Sequence, residues 1–365
     1  MVLMKNNFLI ISILLFFNFI IIPTSNSYEQ FNFDVTEVEI KEDGNRFLGK
    51  KKGTATTNDG MLINADEFNY DKIKNILKVN GNIEFIDSQK EIKLYSDSAT
   101  YLKQEEKIFT EGNSKGINDD GTIITAHSFN YDKIKNILKV NGNIEFIDSQ
   151  KEIKLYSDSA TYLKQEEKIF TEGNSKGIND DGTIITAHSF NYDKIKNIII
   201  ATGNVKIVDT KKDYIIFAKK ITYFRNKEKI ITEGKTKAII ESKYIFNSKN
   251  VLFLKNEMQL SSSNYSTIKD DSQTIYELEK FKYFVNDKVL KGKNVDILTT
   301  ANSGWYSIDD DIFYNKDEIE EVNGVKRSIS TLSNVEWLEE TDRYSFKDII
   351  TSFKNKKFSA SDTKI

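Results

Sequence analysis

The 365-residue sequence contains 52 basic and 55 acidic residues, which gives a formal net charge of −3, and 39% of its residues are hydrophobic. That hydrophobic content is ample for a core and argues against intrinsic disorder. The chain has no cysteine, which excludes disulfides, thiolate catalysis and cysteine-ligated metals, and its interspersed charges disfavour a duplex nucleic-acid binder.

Residues 1–27 have the layout of a secretory signal peptide. Lys5 lies in a short polar start, and an apolar run from Phe8 to Ile22 follows it. Ser25 and Ser27 supply a small-x-small cleavage site. An uncleaved anchor helix is the alternative, but the run is short for a membrane span. Because no later apolar run approaches the length of a span, we predict no transmembrane helix after residue 27.

The chain carries a perfect tandem repeat. Residues 68–137 recur without change as residues 129–198, an offset of 61. Half of that period is visible in two series that return in register: Tyr70, Tyr101, Tyr131, Tyr162, Tyr192 and Tyr223, and Gly81, Gly112, Gly142, Gly173, Gly203 and Gly234. Such regularity is typical of stacked architectures, in which a unit can be duplicated without damage to its neighbours.

Apolar and polar residues alternate with a period of two, which predicts strands with one apolar face and one solvent-exposed polar face. In the first unit the alternating apolar residues are Leu77, Val79, Ile83 and Phe85. Their phase runs through Gly81 unchanged, whereas a two-residue hairpin at Asn80–Gly81 would place polar residues opposite apolar ones. We therefore predict one long strand bent at Gly81, with turns at residues 87–90, 104–106 and 118–121.

The predicted fold is all-β. Residues 28–260 are expected to form a repetitive antiparallel β-jelly-roll, an open taco-like stack of strands with one shared apolar strip and no transmembrane barrel. The duplication is expected to add two strands to each wall, about 10 Å at about 4.8 Å per strand. Residues 261–365 are predicted to continue as a β-rich C-terminal segment with hairpins at 276–298 and 305–324. Their end at Ile365, without a polar tail, suggests a shortened form of a longer chain.

Side chains that could support chemistry fall mostly inside the repeat. His127 and His188 occupy equivalent positions of the two copies, and we interpret them as turn or strand-edge residues rather than catalytic groups. The acidic runs at 118–121 and 309–311 lack the spacing of an EF-hand and are interpreted as turns. We predict no catalytic residue, metal site or cofactor. A polysaccharide-active enzyme would need a carboxylate cluster outside the repeat, for which 301–320 is the one candidate stretch.

Two further features have alternative interpretations. Lysine groups at residues 50–52, 211–212, 219–220 and 354–357 are interpreted as a solvated face, and contact with phosphates of a ligand or membrane is the alternative. The apolar strip is either a dry core or a groove lined for acyl chains, and composition does not separate the two.

Residues 49–87, GKKKGTATTNDGMLINADEFNYDKIKNILKVNGNIEFID, resemble the OstA-like domain of the lipopolysaccharide-transport family, which includes LptA and the N-terminal periplasmic domain of LptD. The segments FDVTEVEIKEDGNRFLG before them and SSSNYSTIKDDSQTIYELEKFKYF after them are more similar to the LptD-type domain. The resemblance covers most of residues 30–300. Two features depart from the family: the long identical duplication, and the lack of the membrane barrel of LptD.

The resemblance implies a non-catalytic protein that binds and transports lipopolysaccharide for outer-membrane assembly, located in the periplasm or associated with the outer membrane. It would be a bridge protein or the N-terminal domain of an assembly protein alone. Edge strands would pair with other OstA-like proteins or with a second copy. Lipid A acyl chains would lie among inward residues: Leu77, Val79, Ile83, Phe85, Leu138, Val140, Ile144, Phe146, Val205 and Ile207. The alternative is a secreted structural or adhesin-like β-repeat protein with a dry core.

Overall fold

The computed structural model describes residues 31–300, 304–307, 313–315, 335–336, 341–354 and 357–364. The predicted signal peptide and the acidic run at 309–311 therefore lie outside the described residues. Within the described part the regular structure consists of strands and short 3-10 turns. In that part of the chain, no helix has the length and apolar character needed to cross a membrane.

The described residues form 26 strands, which confirms the all-β prediction. They are β1 (Asn32–Lys41), β2 (Arg46–Thr56), β3 (Met61–Ala65), β4 (Glu67–Asp71), β5 (Ile76–Asp87), β6 (Ile92–Leu102), β7 (Lys107–Asn118), β8 (Ile123–Asp132), β9 (Ile137–Asp148), β10 (Ile153–Leu163), β11 (Lys168–Asn179), β12 (Ile184–Asp193), β13 (Ile198–Asp209), β14 (Tyr214–Phe224), β15 (Lys229–Ile240), β16 (Tyr244–Lys249), β17 (Leu252–Leu254), β18 (Gln259–Ser262), β19 (Ser266–Lys269), β20 (Ile275–Phe284), β21 (Val289–Thr300), β22 (Gly304–Ser307), β23 (Phe313–Asn315), β24 (Val335–Glu336), β25 (Thr341–Ser352) and β26 (Lys357–Lys364). One antiparallel sheet contains 23 of them, and β22 to β24 form a second sheet.

Each long strand bends once near its middle. In β5 the bend lies at Gly81, with φ of 75°, and Asn82, with φ of 48°. The register with β6 shifts at the same place, between Asn80 and Ile83. Positive φ at two successive residues favours glycine followed by asparagine, which is the pair that the repeat supplies. The bent strand predicted from the alternation is present, and no hairpin forms at Asn80–Gly81.

The bends line up from β5 to β15 and fold the sheet into two walls that meet at a corner. The first wall consists of the strand halves that contain the periodic tyrosines, such as residues 98–102 of β6. The second wall consists of the other halves of the same strands, such as residues 92–96 of β6. Turns close the two walls alternately, at residues 103–106 on the first and 88–91 on the second, close to the predicted positions. The line along which the two sets of turns face each other is called the mouth.

One repeat lengthens the stack by more than the sequence analysis predicted. Each long strand crosses the corner and contributes to both walls. The four strands of one full repeat, such as β9 to β12, therefore all add to each wall. At about 4.8 Å per strand, one repeat lengthens the stack by about 19 Å rather than about 10 Å.

Apolar side chains between the walls form one contiguous core that runs from Phe31 to Phe353. The periodic tyrosines belong to it, and Tyr101, Tyr131 and Tyr192 are at most 1% exposed. Because burial of a large apolar side chain contributes about 1.5–3 kcal/mol, the stack is stabilised along its whole length rather than at one centre.

Beyond β15 the long strands give way to shorter ones. The second-wall half of β15 pairs with β16, and its first-wall half pairs with β17. The domain boundary predicted at residue 260 falls inside β18, and the sheet continues through β19, β20, β21, β25 and β26. The hairpin expected at 276–298 corresponds to β20 and β21, and β22 pairs with β23 inside the segment 305–324.

Candidate functional site

The residues predicted to line an acyl groove all lie between the two walls. They come from β5, β9 and β13, and none is more than 3% exposed: Leu77, Val79, Ile83, Phe85, Leu138, Val140, Ile144, Phe146, Val205 and Ile207. A cavity of about 10 Å³ lies among Val140, Ile144 and Phe146. That volume holds about one water molecule, so these residues are packed as a core.

The mouth is closed by buried lysines that cross from the first wall to the second. The side chain of Lys194 follows β12 on the first wall and is 5% exposed. Its Nζ lies 2.6 Å from Asp120 Oδ2 and 3.5 Å from Asp148 Oδ2, both on the second wall. On its own wall it lies 2.9 Å from Glu167 Oε2. The taco-like sheet is thus closed by ion pairs that reach across its mouth.

The same cluster recurs at the repeat offset on either side. Lys133 Nζ lies 3.0 Å from Asp59 Oδ2 across the mouth and 3.0 Å from Glu106 Oε2. Lys255 Nζ lies 2.6 Å from Asp181 Oδ2 in the equivalent place. Each of the three lysines is nearly or fully buried. Buried charges require such partners, because an unpaired ion in the interior is costly.

Between these clusters, cations reach backbone carbonyl groups of the opposite wall. Arg225 Nη2 donates to the carbonyl oxygen of Lys151 at 2.7 Å. Lys164 Nζ donates to the carbonyl oxygens of Lys90 and Glu91 in the equivalent place. Together with the three lysine clusters, these contacts place a cation across the mouth once in every half-period from residue 133 to residue 255. Among residues 31–300, no strand pairing crosses the mouth.

These contacts shift the pKa values of the mouth residues. Burial opposes ionisation of Asp59, but hydrogen bonds from Thr57 and Lys133 outweigh it and lower the pKa of Asp59 to about 2. Burial likewise opposes the charge on Lys194, whereas Asp120 and Glu167 outweigh it and raise the pKa of that lysine. Asp59 and Lys194 are therefore ionised at neutral pH.

The prediction that the two histidines occupy turns or strand edges is wrong, because both lie within strands. His127 and His188 sit at the bends of β8 and β12. A Cβ built on Gly142 would lie 2.9 Å from His127 Cβ, so the base of the His127 side chain lies close against the glycine of the neighbouring bend. In the part of the chain that the structure describes, no group of three or more His, Cys, Asp or Glu residues could hold a metal ion.

A groove of about 560 Å³ lies beside the corner, on the outer face of the second wall. Its lining residues are Asn204, Val205, Phe217, Ala218, Lys235, Thr236, Lys237, Asn247, Ser248, Lys249, Tyr265 and Thr267. Sequence reasoning missed this groove. The aromatic rings at its rim are partly exposed, since Phe217 is 37% and Tyr265 62% exposed.

The described sheet has two edge strands. β1 pairs with β2 alone, and β26 pairs with β25 alone. On β1 the apolar side chains of Val38 and Ile40 are 54% and 66% exposed. Unpaired backbone groups on an edge can add a strand from another chain.

No protein-family model matches the sequence, and no curated protein matches it. One solved structure that resembles part of the chain is LptH, the LptA homologous periplasmic component of the lipopolysaccharide transport device from Pseudomonas aeruginosa. The sequence identity is 11% and the TM-score 0.31, over 33% of this chain and 94% of LptH. A likeness at this level decides nothing about function.

Proposed function

We propose that this chain is a non-catalytic lipid-transport protein that binds lipopolysaccharide through its lipid A acyl chains and contributes to outer-membrane assembly from the periplasm. The observation that carries this proposal is the combination of a continuous apolar interior with a mouth closed by side chains alone. Because no strand pairing crosses the mouth in residues 31–300, the walls can separate without loss of a backbone ladder.

Burial of an acyl chain would offset part of the cost of separating the walls. Each buried methylene is worth about 0.8 kcal/mol, so about ten methylenes between the walls would gain about 8 kcal/mol. Opening the mouth returns Lys133, Lys194 and Lys255 and their carboxylate partners to water. In that step every charge regains water, so no charge is left buried and unpaired.

The resemblance of residues 49–87 to the OstA-like domain supports the choice of lipopolysaccharide as the ligand. The edge strands β1 and β26 would join the chain to another Lpt protein or to a second copy, through backbone hydrogen bonds of the kind that extend a sheet. In this way several chains would offer one continuous apolar path.

A secreted structural β-repeat protein is the second candidate, and one observation favours it. The interior residues expected to meet acyl chains are already packed against one another, with exposures of 3% or less. In that case the mouth stays closed and the repeat sets only the length of the molecule.

Site-specific photo-crosslinking separates the two candidates. A photoreactive residue is placed at the inward Phe85 or at its outward neighbour Glu84, in cells that make lipopolysaccharide. The identical positions of the second copy, Phe146 and Glu145, serve as an internal replicate. Lipid A adducts at Phe85 and Phe146 alone support transport. If the exported, folded chain captures no lipid A at either position, the result favours the structural protein.

A further inference from the structure

On the outer face of the second wall, the side chains of the unit that follows the repeat differ from those of the two copies. In the second copy Tyr156 donates a hydrogen bond to Glu145 Oε1 at 3.0 Å. At the equivalent positions of the next unit, the chain has Phe217 and Lys206. The hydroxyl donor and its acid acceptor are thus lost together, and Lys206 Nζ lies 5.8 Å from the centre of the Phe217 ring.

The neighbouring corner changes in the same sense. In the second copy Asn174 Nδ2 donates to Asp158 Oδ2 at 2.8 Å. The equivalent residues of the next unit are Lys235 and Lys219, so two cations replace an amide and an acid. His188 is likewise replaced by Lys249, the register partner of Lys235. One scaffold therefore carries an acid, an amide and a histidine at the corner of the second copy and three lysines at the same positions of the unit that follows it.

This basic corner borders the groove of about 560 Å³ described above. Lys235, Lys237 and Lys249 line it together with the exposed aromatic rings of Phe217 and Tyr265, and no Asp or Glu is among its lining residues. The neighbouring acid Glu233 is engaged by Lys220, at 2.7 Å. The volume is within the range of about 300–1,000 Å³ that small-molecule sites occupy.

We propose that this groove binds an anionic acyl lipid, with its phosphate among the lysines and its acyl chain against Phe217 and Tyr265. Lysines alone would suit any anion, and the rings alone any apolar group, whereas their combination suits a molecule that carries both. The site lies on the outer face and goes beyond the proposed function, which concerns the interior.

The test uses the full exported chain and dioctanoyl phosphatidic acid below its micellar concentration, with binding measured by calorimetry. A triple variant, Lys206→Glu, Lys219→Asp and Lys235→Asn, restores the residues that the same chain carries at 145, 158 and 174. Because those residues already occur at this place of the fold, the variant is expected to fold, which circular dichroism checks. We expect its affinity to fall about tenfold or more.

A matched control makes the same charge changes at exposed lysines on other strands: Lys78→Glu, Lys139→Asp and Lys154→Asn. It should bind as the unchanged chain does. Equal weakening in both variants would overturn the proposal, as would unchanged binding in the restored variant. Competition by inorganic phosphate or an acidic peptide as strong as that by the lipid would show a general anion site and also overturn it.

A photoreactive residue at Phe217 locates the lipid independently of the interior. Capture of phosphatidic acid at Phe217 supports the groove even if Phe85 captures nothing, in which case the proposed transport function fails alone. Capture at Phe85 with none at Phe217 overturns the groove and leaves the transport function standing.

Discussion

At the scale of single residues, the buried lysines of the mouth are the most sensitive to substitution. Lys194 lies within 3.5 Å of three carboxylates. Lys194→Met would leave the buried Asp148 and the half-buried Asp120 and Glu167 without this cation, and removal of one partner from a buried ion cluster costs about 3–5 kcal/mol. We expect a loss of this size in the free energy of unfolding, measured by urea denaturation.

Lys196→Met is the matched control, since Lys196 follows Lys194 closely in the chain and its side chain is 70% exposed. Its ion pair with Asp193, at 3.5 Å, is a surface pair, whose loss changes stability by about 0–1 kcal/mol. Equal losses for the two variants would contradict the assignment of Lys194 to a buried cluster.

The corner glycines offer a second comparison. Gly173 and Gly234 occupy equivalent bends with φ of 81° and 78°. A Cβ on Gly173 would lie 2.5 Å from Asp158 Oδ2, whereas a Cβ on Gly234 would meet nothing within 4 Å. Both alanine variants incur the cost of positive φ, about 1–2 kcal/mol. We expect Gly173→Ala to lower the melting temperature further than Gly234→Ala, and the reverse order would be inconsistent with the packed corner.

Low pH should destabilise the ion pairs at the mouth, because their carboxylates become protonated. The folded pKa of Asp59 is about 2, below its ordinary value of 3.8, so its contribution to stability is complete above about pH 4. That contribution is lost as the pH falls through about 2, because protonation then removes the contact with Lys133. The free energy of unfolding of Asp59→Asn, followed from pH 5 to 2, should decline less steeply than that of the unchanged chain. Superimposable profiles would show that Asp59 has no part in the acid response.

At the scale of elements, the bent strand was predictable because its evidence is local. The alternation around Gly81 keeps its phase, and only a continuous strand places Val79 and Ile83 on one face. The closed mouth was not predictable in the same way. Lys194 and Asp120 are far apart in the sequence, and their meeting depends on the stagger between the walls, which no local pattern encodes.

A sequence signal for the mouth nevertheless exists. Lys133 and Lys194 each stand at the second position after a periodic tyrosine, and Arg225 stands at the same position after Tyr223. The sequence analysis considered only clustered lysines, at 50–52, 211–212, 219–220 and 354–357, and therefore missed the single lysines that follow the periodic tyrosines. The groove was also partly visible, because the lysines at 206, 219 and 235 replace repeat residues of different charge.

The repeat itself gives a prediction about length. Deletion of residues 129–189 removes one full repeat and joins identical sequences, so Lys194 takes the place of Lys133 opposite Asp59. We expect a folded, cooperative chain whose longest dimension in small-angle X-ray scattering is about 19 Å shorter, since four strands leave each wall. A shortening of only half that length, or loss of folding, would contradict strands that span both walls.

At the scale of the whole molecule, function depends on whether the walls separate. The closed interior has a core without acyl-sized space around Val140 and Phe146, and the mouth is held by ions rather than by strands. A lipid carrier with this architecture must open at the mouth to load. A structural protein has no such requirement, so the two accounts differ in what a locked mouth would do.

The most direct measurement locks the mouth and asks whether lipid still enters. The chain has no native cysteine, so Glu91→Cys and Lys164→Cys, on opposite sides of the mouth, can be joined by a cleavable bifunctional thiol reagent. Lipid A capture is then read from a photoreactive residue at Phe146. We predict capture in the open chain, loss of capture in the locked chain and recovery after cleavage of the link. Equal capture with the mouth locked and unlocked, or none in either form, would contradict entry of acyl chains through the mouth.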